Sequence, residues 1–137
     1  MIETGFELHP RLAQDSVEVA RWQLSLVLLM RERLWPWLVL VPRRSALREI
    51  HELAPADRAL LVEEIARASA ALQQAVAADK INVGAIGNLV PQLHVHVVAR
   101  HQGDPAWPKP VWGALPPEPM DDEALAARLA LIRSALG

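Results

Sequence analysis

Residues Asn88 to Arg100 read N-L-V-P-Q-L-H-V-H-V-V-A-R, and this stretch decides the fold. Leu93, Val95, Val97 and Ala99 alternate with His94, His96 and Val98, which is the period of a β-strand. Side chains of a strand alternate between its faces. Gln92, His94 and His96 are therefore predicted to project together from one open face, about 6–7 Å apart. Leu93, Val95 and Val97 go to the opposite, buried face. Nothing in that packing pattern demands histidine.

Outward from this strand, Lys80 to Ala85 (K-I-N-V-G-A) alternates too, and Gly87-Asn88 after it is a turn signal. Trp37 to Val41 (W-L-V-L-V) is a continuous apolar run bracketed by Pro36 and Pro42, as expected of a strand covered on both faces. Ser25 to Met30 is apolar and β-compatible. Ser16 to Trp22 alternates, with Val17, Val19 and Arg21 on one face. Gly5 to Leu8 reads as a short strand ended by Pro10. Leu60, Leu61, Ile65, Ala68, Leu72 and Val76 recur at threes and fours, predicting an amphipathic helix from Ala56 to Ala78 behind Pro55. A shorter helical turn is expected over Leu47 to Leu53. The prolines from Pro105 to Pro119 make a structureless strap after Gly103. Asp121 or Asp122 caps a last helix lined by Leu125, Leu129, Ile132 and Leu136. These patterns predict a single α+β domain over residues 1–137. Its core spans 25–100, its strap 103–120 and its C-terminal helix 121–136.

Composition narrows the chemistry. The chain has 137 residues, about one domain's worth, and 52% of them are hydrophobic. The net charge of −2 gives no electrostatic ground for binding nucleic acid or an anionic membrane. There are no cysteines, so disulfide scaffolds, thiolate metal sites and thiol catalysis are excluded. The first ten residues carry Glu3, Glu7 and His9 and do not resemble a signal peptide. A cytoplasmic protein is expected. Five histidines remain as the side chains that titrate near neutrality.

Spacing alone leaves three readings of His94 and His96. They are solvated surface histidines, a metal site, or a nucleophile with a charge-stabilising neighbour. A metal needs a third ligand, and His51, His101 and Asp104 stand at no diagnostic spacing. No Walker A sequence and no acidic cluster for magnesium occur, so no cofactor is expected. His9, His51 and His101 are given no chemistry.

The run Pro91 to Arg100 resembles the histidine-triad (HIT) signature, His-φ-His-φ-His-φ-φ with φ apolar, usually after a proline. Trp37 to Arg44 (W-L-V-L-V-P-R-R) is similar to the family's strand ending in an apolar run, Pro and a basic pair. Asn82-Val83-Gly84 followed by Gly87-Asn88 is similar to its Asn-x-Gly…Gly strand and turn. Order and spacing agree over roughly residues 25–100. The resemblance implies an antiparallel sheet of about five strands, with one long helix and a C-terminal helix. It also implies a homodimer joined into one continuous sheet, and a nucleotide or nucleotide conjugate as substrate. The implied activity is that of a nucleotidyl hydrolase or transferase. By motif position His94 is the nucleophile that attacks the α-phosphorus, His96 contacts phosphate oxygens or the leaving group, and Asn82, Gly87 and Asn88 contact ribose and phosphate.

Two positions depart from the pattern. Gln92 stands at the first triad position, and Trp37 stands where many members have histidine. The Gln92 backbone carbonyl is still an acceptor for His94, but its side chain cannot exchange a proton near neutrality. The resemblance therefore implies retained binding and adduct formation, with turnover slowed or confined to leaving groups that need little acid help. Two alternatives stay open: a nucleotide-binding module without efficient turnover, and a protein that binds a metal through His94 and His96. Trp107 and Trp112 are expected to anchor the strap to the body or to a second subunit, against a role stacking on a base. Trp22, Trp35 and Trp37 are read as structural, with Trp37 trimming the site, and Arg43 and Arg44 as a solvated pair.

Overall fold

The computed structural model describes residues 5–137. In chain order the elements are α1 (Pro10–Asp15), β1 (Ser16–Arg21), β2 (Ser25–Met30), β3 (Trp37–Pro42), a 3-10 turn (Ile50–Glu52), α2 (Pro55–Val76), β4 (Lys80–Gly84), β5 (Val95–Arg100) and α3 (Asp122–Leu136). The five strands form one antiparallel sheet in the order β1-β2-β3-β5-β4, the α+β architecture expected.

Strand periodicity sorts the apolar residues onto two faces. Val27, Leu29, Leu38, Leu40, Val97 and Ala99 pack beneath α2 and α3, against Ala68, Leu72, Leu125 and Ile132. Leu26, Leu28, Val39 and Val41 point the other way, against Leu12 of α1 and Val90. Val98 on that second side meets Trp35 and Val111. Both faces of β3 are covered, which is why its sequence is apolar without a break. In α2, Pro55 occupies the first turn and Ala77 closes the helix in a left-handed conformation. In α3, the Asp121 carboxylate accepts from the Ala124 N–H at 2.8 Å.

The N-terminal expectation fails. No strand forms over Gly5 to Leu8. Pro10 opens a helix instead of ending a strand, because its fixed φ suits a first turn. His9 caps that helix, its Nδ1 accepting from the Arg11 N–H at 3.1 Å. The register of β1 slips between Glu18 and Ala20, so Arg21 leaves the Val17–Val19 face and pairs with Glu18 at 3.0 Å.

The strap lacks regular elements yet is fastened along its length. Val111 and Met120 are buried, and the strap backbone bonds the β2–β3 connection at Arg33 N to Glu118 O (2.8 Å) and Met120 N to Arg31 O (2.8 Å). Arg43 and Arg44 are no solvated pair. Arg43 is buried and donates to the carbonyls of Trp22 and Gln23, holding the β1–β2 turn. Arg44 bridges Asp57 of α2 at 2.9 Å. Among the described residues no helix is long and apolar enough to cross a membrane.

Candidate active site

β5 lies between β3 and β4, with His96 opposite Val39 on one side and opposite Gly84 on the other. Cross-strand partners share a face, so His96 stands on the side away from α2. His94 precedes the first residue of β5, and its ring meets that of His96 edge to face with centroids 4.9 Å apart. The two histidines come together as expected.

Their surroundings differ from expectation. The face is not open: His94 is 6% exposed and His96 8%. Trp37 and Trp112 close on His96 with ring centroids at 5.6 and 5.7 Å. Trp112 lies this close because of Gly84. A Cβ on Gly84 would come within 3.1 Å of the Trp112 ring. Gln92 does not extend the row, because β5 begins only at Val95 and the expected alternation stops there. Its side-chain amide is occupied by the segment before α1, accepting from the His9 N–H at 2.8 Å and donating to the Glu7 carbonyl at 2.8 Å.

Hydrogen bonds assign each imidazole a tautomer. Nδ1 of His94 lies 2.6 Å from the Gln92 carbonyl oxygen. A carbonyl only accepts, so Nδ1 carries the proton and Nε2 keeps its lone pair. Nδ1 of His96 accepts from the Trp37 indole N–H at 2.9 Å. An indole N–H only donates, so the His96 proton sits on Nε2. Burial, and then the neighbouring His94, push the His96 imidazolium down from 6.5 to about 4. One histidine thus offers a lone pair and the other a neutral N–H, side by side.

A cleft of about 340 Å³ opens over both rings. Gly87, Asn88 and Leu89 form one wall, and Arg11 and Asp15 of α1 form the other. Gly87 sits at φ +66°, a conformation that glycine adopts without strain. Beside this cleft lies a larger compartment of about 530 Å³ bordered by Trp35, Trp37, Trp112 and Leu115. Arg11, Asp15, Met30 and Trp112 border both compartments, and Arg31, Glu32 and Glu118 add charge to the rim of the larger one.

Asn82 does not line this cleft. Its side-chain oxygen accepts from Arg100 at 2.9 Å, and Arg100, 1% exposed, makes a bidentate pair with Asp104 at 2.8 and 3.1 Å. Burial opposes ionisation of Asp104. Arg100 and the N–H groups of Ala106 and His101 overcome it and hold the carboxyl well below the usual carboxylate range. This cluster, with Trp107 5.6 Å from the Arg100 guanidinium, fixes the root of the strap. His101 donates through Nε2 to the Val76 carbonyl at 2.9 Å and ties down the end of α2. Among the described residues, no three or more His, Asp or Glu side chains gather where they could hold a metal ion.

The model of the HIT domain family matches residues 11–103. The chain is similar to a histidine triad protein from Sinorhizobium meliloti 1021, at 45% identity and a TM-score of 0.93, over 96% of this chain and 98% of that one. A histidine triad protein from Marinobacter aquaeolei VT8 is 46% identical with a TM-score of 0.92, over 96% of each chain. One from Bradyrhizobium japonicum is 42% identical with a TM-score of 0.92, over 96% of this chain and 98% of that one. No curated protein matches.

Proposed function

Because the chain belongs to the HIT domain family, with its nucleotide-binding function, we propose that it cleaves or transfers nucleotidyl groups at the α-phosphate through a covalent nucleotidyl–His94 intermediate. The observation that carries this reading is the pair of opposed tautomers. His94 Nε2 holds an available lone pair because Nδ1–H is engaged by the Gln92 carbonyl. When Nε2 attacks phosphorus, the positive charge that develops on the ring is met at Nδ1–H by that carbonyl dipole. His96 presents Nε2–H 4.9 Å away, ring to ring, to a phosphate oxygen or to the departing group. Gly87 and Asn88 border the cleft over the histidines, which takes the phosphate, and the adjoining compartment takes another part of the substrate.

A homodimer belongs to the same proposal. β4 is an edge strand, and Val83, Ile86 and Leu89 on and after it are exposed, Leu89 by 82%. The other edge, β1, carries a bulge and the charged pair Glu18–Arg21, which resist strand addition. A second copy adding at β4 would give one continuous sheet around a two-fold axis.

One observation favours a second reading, a nucleotide binder without efficient turnover. His96 stays neutral near pH 7, and Gln92 is committed to the N-terminal segment, so neither supplies a proton readily. Steady-state assays with adenylated and guanylated phosphoanhydrides separate the two. Repeated release of monophosphate, lost by roughly 10³-fold or more in His94→Gln, supports the enzyme. A single stoichiometric burst supports the binder.

A further inference from the structure

Trp37 sits on β3 opposite Val98, two residues along from the Val39–His96 pair and on the same face. Its indole reaches diagonally to His96 and donates to Nδ1 at 2.9 Å. The ring lies edge to face with Trp35 at 6.4 Å, Trp112 at 6.2 Å and His96 at 5.6 Å, packed on three sides by other rings. On the reading that His94 is the nucleophile, we infer that Trp37 is a positioning residue that keeps His96 a neutral Nε2–H donor, and that the substrates are therefore nucleotides whose leaving group departs as a stable anion, in preference to those that release an amine.

The geometry gives the reason. Protonating His96 at Nδ1 would set two N–H groups against each other across 2.9 Å and break the Trp37 bond. No carboxylate among the described residues touches either ring nitrogen through a hydrogen bond. The charged groups bordering the cleft are Arg11 and Asp15 of α1. β3, β4 and the strap bring Val39, Gly84 and Trp112 against His96, none of them charged. The low basicity of His96 agrees with this arrangement.

The consequence follows from the balance of the step. The His94 Nε2 lone pair forms the N–P bond while the P–O bond to the leaving group breaks. The oxygen leaves with the electron pair as a sulfate, carboxylate or phosphate anion, and no proton is required. Water then attacks phosphorus, the N–P electron pair returns to Nε2, and the water proton passes to solvent. An amine leaving group must instead receive a proton as its P–N bond breaks. A neutral imidazole N–H is far too weak an acid to give one.

Two measurements on the full chain decide this. Long-range proton–nitrogen NMR should show His96 as the Nε2–H tautomer alone from pH 5.5 to 8. Initial rates on a nucleoside 5′-phosphosulfate should exceed those on the 5′-phosphoramidate of the same base by ~100-fold or more, and Trp37→Phe should narrow that ratio at least ~10-fold. A His96 proton on Nδ1, an imidazolium near neutrality, or a ratio unchanged in a folded Trp37→Phe would overturn the inference. Because the tautomer is read in the wild-type chain, it decides the role of Trp37 even if the variant does not fold. Loss of both reactions in the wild type would overturn the transferase reading, and the tautomer alone would then decide Trp37.

Discussion

His96 makes stability depend on pH in a definite direction. The unfolded chain takes up a proton there below its ordinary 6.5, whereas the folded chain refuses it until about 4. Stability is therefore full above 6.5, falls as pH drops through that window, and falls no further once both states are protonated. The loss is on the order of 3 kcal/mol at most. Urea midpoints measured at pH 7.5 and 4.5 should converge in His96→Asn relative to the wild type, since the variant removes this contribution. Gln92 acts differently from its neighbours. Gln92→Ala should cost about 1–2 kcal/mol by releasing the Glu7 and His9 backbone, with faster hydrogen exchange at the His9 amide. The bond from His94 to the backbone carbonyl at position 92 remains, so adduct formation should survive while KM rises. Sequence alternation was enough to bring His94 and His96 together. It could not show that Trp37, 59 positions away, would bond His96, because that contact depends on strand register. The signal that pointed to Trp37 was its place in the W-L-V-L-V run, at a family position often held by histidine.

At the scale of elements, the strap and β4 fit together through Trp112 and Gly84. Gly84→Ala would push a methyl to within 3.1 Å of an indole already set against Trp37 and His96. Such overpacking should cost roughly 1–3 kcal/mol and alter tryptophan fluorescence, checked by chemical denaturation and emission spectra. The long elements were legible from the sequence because their patterns run for several periods. α2, α3 and the five strands fall within a residue or two of their predicted limits. β5 is also close, but it begins two residues late at Val95, the chain bending at Gln92 to meet the N-terminal segment, and this offset takes Gln92 and His94 out of the strand. α1 was missed because six residues are too few for a helical stripe, and Pro10 suits the end of a strand as well as the start of a helix. The strap was read as structureless because prolines suppress periodicity. Its order comes instead from isolated anchors such as Val111, Met120 and the Arg100–Asp104 pair.

At the scale of the whole molecule, the sheet is a platform with two different sides. α2 and α3 cover one, while α1 and the strap cover the other and leave the groove over the histidines between them. Dimerisation through β4 should be abolished by Val83→Lys, which puts a charge on the exposed edge. Sedimentation should show a dimer for the wild type and a monomer for the variant, and a variant that stays dimeric would remove β4 as the interface. The central claim concerns His94 and is tested most directly by trapping the adduct. The protein is mixed with labelled adenylated or guanylated substrate, quenched within milliseconds to seconds and digested for mass spectrometry. A nucleoside monophosphate mass on the peptide containing His94, absent in His94→Gln, is the result expected. Monophosphate release with no adduct on His94, or an adduct on another residue, would contradict the account.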